Sequence, residues 1–172
     1  MVEIGLLTAS YQRPAGRGGP GAGRPAKMYA RFGRQFAVSV PPREYELAAR
    51  LLAVAVESDS SGASWAGLRD AAWQFGCNLG RRSVAGECGQ PDKGSVLASA
   101  LREHGFEPWQ DERGAVQLRN CPFHSLAALH PAMVCGMNLA LIEGLVEGLE
   151  ATELSPELSP REGRCCVVIA AR

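Results

Sequence analysis

None of the apolar runs in this chain, LLAVAV at 51–56 among them, approaches the roughly 20 residues that a helix needs to cross a bilayer. The N-terminus also lacks the basic segment and following apolar stretch of a secretory leader. These two absences predict a cytoplasmic protein with no membrane partner. Motifs of catalysis are missing as well: there is no G-x-S-x-G, no H-E-x-x-H and no P-loop. The glycine-rich GRGGPGAGRPAK lacks both the G-K-[ST] ending and the following helix that a phosphate cradle requires. Cys121 and His124 could form a nucleophile pair, but nothing identifies an orienting third group or an oxyanion hole. The chain is therefore not expected to be an enzyme.

Acidic residues are absent from residues 4–43, which carry seven Arg or Lys. The remainder, 44–172, holds 17 acidic and 11 basic side chains, so a formal net charge of zero conceals +7 on one segment and −6 on the other. Apolar, strand-like residues precede the glycine-rich centre (Ile4, Leu6, Leu7, Tyr11) and follow it (Met28, Tyr29, Phe32, Phe36, Val38). The Gly and Pro between them cannot hold a helix, so the segment reads as a basic hairpin. Arg13, Arg17, Arg24, Lys27, Arg31 and Arg34 are its candidate DNA contacts, because each phosphate neutralised releases condensed counterions.

Beyond the hairpin the chain has 46% apolar residues overall, enough for a core in one domain or in a small domain with an appendage. Pro41 and Pro42 open a long amphipathic helix through residue 57, with Tyr45, Ala48, Ala49, Leu52 and Val56 at helical spacing. Residues 58–62 break it. A second helix is expected at about 64–79, and loop through much of Gly76–Gly94. The pattern then predicts a helix over 95–104 stopped by Gly105, and a hairpin over 106–120 turning at Asp111–Gly114. A short helix at 124–130, a long helix over 132–150, a Pro-rich link and a final strand over 165–170 follow.

Cysteine carries the chemical signal. There are six cysteines and no C-x-x-C, and nothing marks the chain as secreted, so thiols, metal ligation or redox sensing are favoured over disulfides. Four lie in the last 52 residues: Cys121, Cys135 and the vicinal Cys165–Cys166. A strand end, the first turn of a helix and a strand start could bring them together. Neighbours on a strand face opposite ways, so only one of Cys165 and Cys166 is expected at a shared site. Three thiolates then need a fourth ligand. His124 or His130 would supply it for zinc, whereas an iron–sulfur cluster could take a histidine or an external thiol, or leave one iron exposed. Cys77 and Cys88 read as ordinary buried thiols, and His104 as a helix-end residue.

Four segments, GPGAGRPAKMYAR, PPREYELAARLL, NCPFHSLAALHPAMVCGMN and GRCCVVI, together resemble actinobacterial winged-helix transcriptional regulators of the broad ArsR/DeoR-like class. The layout is also similar to that of the Suf-type repressors, which sense an iron–sulfur cluster through C-terminal cysteines. The resemblance implies an α+β fold: a β-hairpin wing at 1–40, a linking and dimerising helix at 41–58, and a mixed α/β sensor domain at 59–172. It implies a homodimer, and it implies Cys121, Cys135 and one of Cys165 or Cys166 as cluster ligands, with zinc as the alternative metal. A helix-turn-helix would precede the wing. Met1–Leu7 would be its remnant, so this chain alone would hold DNA weakly and with little sequence preference.

Overall fold

A computed structural model describes residues 2, 7–13, 24–31, 44–85, 92–112, 114–161 and 163–172. The chain divides into two compact units, Met1–Arg43 and Glu44–Arg172. The architecture is α+β. Among the described residues no helix is long and apolar enough to cross a membrane.

In the first unit β1 (Leu7–Gln12) pairs antiparallel with β2 (Ala26–Arg31), in register from Leu7 opposite Arg31 to Gln12 opposite Ala26. The expected hairpin is there, with shorter strands. Every β1 residue after Leu7 is exposed, so both faces of the ribbon are open to water. Ile4, Leu6, Phe32, Phe36 and Val38, together with the glycine-rich tip, lie outside the described residues.

The second unit begins with α1 (Tyr45–Glu57), followed by α2 (Ala63–Ala85) and α3 (Lys93–Glu103). Asp59 links the first two helices, accepting hydrogen bonds from the backbone N–H of Ser61 and of Ser64 at 2.9 and 2.8 Å. Asp92 is the N-cap of α3 and accepts from the Ser95 N–H at 2.9 Å. Gly105, at φ +81°, ends α3 where a left-handed residue is required. Then come β3 (Pro108–Gln110), β4 (Val116–Leu118), the short α4 (His124–Ala127), α5 (Pro131–Gly148), β5 (Leu154–Leu158) and β6 (Val167–Ala171). The four strands form one antiparallel sheet in the order β3-β4-β6-β5.

Two expectations are corrected here. The glycine-bearing stretch from Gly76 is not loop, because α2 continues unbroken to Ala85. Its glycines serve close helix packing. A Cβ on Gly76 would lie 2.1 Å from the Leu141 carbonyl oxygen, and one on Gly144 would lie 2.1 Å from that of Trp73. Gly76 and Gly80 on α2 thus face Gly144 and Gly148 on α5 with backbones almost touching. The Pro-rich link likewise contains β5. Its Pro156, opposite Ile169, is tolerated because β5 is an edge strand and needs donors on one side only.

The main core lies between α2, α3, α5 and the sheet, around Leu97, Leu101, Leu118, Ile142, Leu145, Leu149 and Ile169. A second, smaller cluster, built on Ala53, Met133 and Val134, seats α1. Phe123 packs against both clusters. Only Ala53 of α1 is fully buried. Val56 packs against the smaller cluster of its own chain.

Candidate functional site

Four cysteines converge where the sheet meets α5. Cys121 follows β4 by three residues, and its carbonyl accepts from the His124 N–H at 3.1 Å. The neighbouring Asn120 anchors that loop by donating from Nδ2 to the Gly105 carbonyl at 2.6 Å. Cys135 is the fifth residue of α5, deeper than the first turn where it was expected. Cys165 and Cys166 immediately precede β6 and are held from both sides. The Cys165 N–H donates to the Leu118 carbonyl at 3.0 Å, and the Cys166 carbonyl accepts from the Ser159 N–H at 2.7 Å.

Cys165 is the hub. The thiols of Cys121 and of Cys166 both hydrogen-bond to it, and Cys166 also bonds Cys135. Asn138, fully buried on α5, donates from Nδ2 to Cys165 Sγ at 3.2 Å. These donors hold the Cys165 thiol below its ordinary pKa, the Cys121 bond contributing most and the Cys166 bond next. The partners move the other way. Cys121 and Cys166 are pushed up, first by the bond that each makes to Cys165 and then by burial. The opposed shifts share one cause, the hydrogen bonds that link these thiols through Cys165. Both members of the vicinal pair take part, where strand alternation predicted one, because β6 begins only at Val167.

Arg119 and Arg164 sit two and one residues before Cys121 and Cys165, and their guanidinium carbons lie 5.1 and 5.5 Å from the centroid of the Trp109 ring. One aromatic ring thus ties the exit of β4 to the turn leading into Cys165. Neither Trp109 nor Asn138 was singled out in the sequence. For Asn138 a signal existed: it lies three residues after Cys135 on the same helix, hence on the same face.

The histidines do not join the thiols. His124 is exposed at the first position of α4. His130 is the N-cap of α5, and its Nδ1 lies 2.7 Å from Oε2 of Glu57. His104 caps α3, as expected, with Nδ1 3.1 Å from the Ala100 carbonyl. Cys77 is buried in α2 and free, its pKa raised chiefly by burial, whereas Cys88 lies outside the described residues.

Among the described residues no three His, Cys, Asp or Glu side chains are already disposed as a metal-ion site. Sulfur is nevertheless the donor type that soft metals take. Four sulfurs form one hydrogen-bonded group in apolar surroundings, an amide N–H is already directed at one of them, and the buried Oδ1 of Asn138 has no hydrogen-bond partner.

Of the six candidate DNA contacts, Arg13, Arg24 and Lys27 are exposed on the hairpin. Lys27 Nζ lies 5.3 Å from the Tyr29 ring centroid. Its bond to Tyr29 is the main reason its pKa rises, so it stays cationic. Arg31 ends β2, and Arg17 and Arg34 lie outside the described residues. Comparison with known proteins adds no further constraint: no family model, no curated protein and no solved structure matches the chain.

Proposed function

We propose that this protein is a transcriptional regulator, or its effector part, which contacts DNA through the basic β1–β2 hairpin, pairs through α1 and senses a soft-metal centre through its C-terminal cysteines. The observation that carries the reading is the meeting of Cys121, Cys135, Cys165 and Cys166 in a single group, from three separate parts of the chain. Sequence spacing offered three thiols and a histidine. The fourth thiol removes the need for His124.

In this reading Cys121, Cys135, Cys165 and Cys166 close up as ligands, and Asn138 keeps its amide N–H on Cys165. The bound group, an iron–sulfur cluster or zinc, supplies a charge and geometry that the free thiols lack. Cys121 lies on a loop whose Phe123 packs into the cluster that seats α1. Drawing Cys121 inward would shift Phe123 and so bias how α1 is held, which is the differential contact that any ligand-driven switch requires. The hairpin's part is electrostatic. An exposed ribbon bearing Arg13, Arg24 and Lys27 suits phosphate contacts, while base reading belongs to a major-groove helix.

Anaerobic purification followed by absorbance spectroscopy and metal analysis tests the sensor half. Iron with sulfide, or zinc, should be present in the wild type, absent from Cys121→Ser and Cys135→Ser, and retained in Cys77→Ser. A wild type without either metal, or full occupancy in both site variants, would overturn the sensor reading. Duplex binding measured against salt tests the other half: Arg24→Ala with Lys27→Ala should lower affinity similarly on unrelated sequences and flatten the salt slope. An unchanged slope would remove the hairpin from the DNA contact.

A further inference from the structure

α5 buries nine residues, and Asn138 is the single polar side chain among them. It has no exposed surface. Its two polar atoms fare differently: Nδ2 donates to Cys165 Sγ at 3.2 Å, while Oδ1 finds no partner among the described residues. An amide buried in this half-satisfied way is a poor choice for stability, since an apolar side chain of the same shape would leave no orphaned carbonyl. Leucine has the branching of asparagine and no polar atom to leave unpaired. Nor is the amide a cap or a turn residue, because it lies in the middle of a regular helix. Its one formed contact goes to the sulfur that Cys121 and Cys166 share.

We propose that Asn138 is a positioning residue of the thiol site: its Nδ2–H···Sγ hydrogen bond holds the Cys165 sulfur in the orientation of a metal ligand. Such outer hydrogen bonds orient ligands and tune what they bind, and their removal commonly weakens metal binding by about 10- to 100-fold. The inference rests on the reading of the cysteines as metal ligands, and it makes a claim that a structural role does not. Metal affinity and fold stability should respond to the loss of the amide in opposite directions.

The test is titration of the reduced, metal-free full chain with cobalt(II) under anaerobic conditions, followed through the sulfur-to-cobalt charge-transfer absorption, for the wild type and Asn138→Leu. The variant should bind cobalt about 10- to 100-fold more weakly, with a displaced charge-transfer band, while the metal-free protein melts no lower than the wild type. If Asn138→Leu does not fold, as read by circular dichroism, the pair Asn138→Ser and Asn138→Ala takes its place. These differ by one hydroxyl donor at similar volume, and the alanine variant should show the greater loss of affinity. An unchanged affinity and band in Asn138→Leu, parallel losses of stability and affinity, or equal affinities in the serine and alanine pair would each overturn the inference while leaving metal binding by the cysteines intact. A wild type that binds no cobalt through sulfur would instead overturn the metal-site reading, and this inference with it.

Discussion

The Nδ1 of His130 and the Oε2 of Glu57 lie 2.7 Å apart, joining the last residue of α1 to the N-cap of α5 across 73 positions of sequence. The imidazole is largely covered and the carboxylate roughly half exposed, so the pair is partly screened. Ala53 and Val56 provide the rest of the anchorage of α1 in the smaller core. Glu57→Ala should therefore loosen α1 without melting the domain. A pair of this exposure contributes about 0.5 kcal/mol, which corresponds to roughly twofold faster amide exchange. Hydrogen exchange resolved by residue should show that acceleration in α1 and none in the middle of α5. Equal acceleration in both helices would mean that the pair supports the whole domain.

The α2–α5 contact should tolerate no added atom. Gly76→Ala would set a Cβ against the Leu141 carbonyl, and Gly144→Ala would set one against the Trp73 carbonyl, each at 2.1 Å if nothing moved. Backbone cannot rotate away as a flexible side chain can, so the helices must part. Each substitution should cost at least the roughly 1–3 kcal/mol typical of overpacking, read as a lower urea midpoint. The double variant should cost less than the sum, since helices already separated by one methyl accommodate the second more easily. Full additivity would indicate that the two sites relax independently.

Legibility of the sequence followed the reach of each signal. Local punctuation was readable: Gly105 ended α3, the Asp111–Gly114 turn joined β3 to β4, and Pro131 opened α5. Gly76 and Gly80 misled because glycine looks the same whether it breaks a helix or admits a neighbouring one, and the neighbour, α5, lies more than 50 residues later. β5 was hidden by Pro156, which an edge strand accepts. At the site, clustering of Cys121, Cys135, Cys165 and Cys166 along the chain carried real information. The alternation rule then went astray by one residue, because backbone bonds to Leu118 and Ser159 hold the vicinal pair just before regular strand begins. Asn138 left only its spacing from Cys135 in the sequence, and that its amide meets the Cys165 sulfur emerges only in the folded chain.

Acid stability should depend on two surface aspartates. Hydrogen bonds from Ser61 and Ser64 hold Asp59 well below the usual carboxylate pKa, and those from Ser95 lower Asp92. A carboxylate depressed in the folded state adds stability that is present above its unfolded pKa, roughly 3.9, and is lost as pH falls through the lower folded value. Asp59→Ala and Asp92→Ala should therefore each lower the melting temperature at neutral pH. Below about pH 4 each should also show a shallower decline than the wild type. Parallel curves for variant and wild type down to pH 2, as a working acid limit for carboxylates, would show that these caps do not contribute through their charge.

Outward exposure on α1 separates folding from association. Tyr45, Leu51 and Leu52 are 75%, 64% and 68% exposed, an apolar helix face that its own chain leaves to water. Only Ala53 and Val56 turn inward to the smaller core. If α1 pairs with a second copy, Leu52→Asp places a charge in that seam while disturbing nothing inside the protomer. The variant should retain its circular dichroism spectrum, with stability changed by no more than about 0.5 kcal/mol as for other exposed sites. Light scattering at tens of micromolar, a concentration suited to weak association, should then give a dimer for the wild type and a monomer for Leu52→Asp. A monomeric wild type would exclude pairing through α1 in this chain, and a dimer that survives Leu52→Asp would place the interface elsewhere.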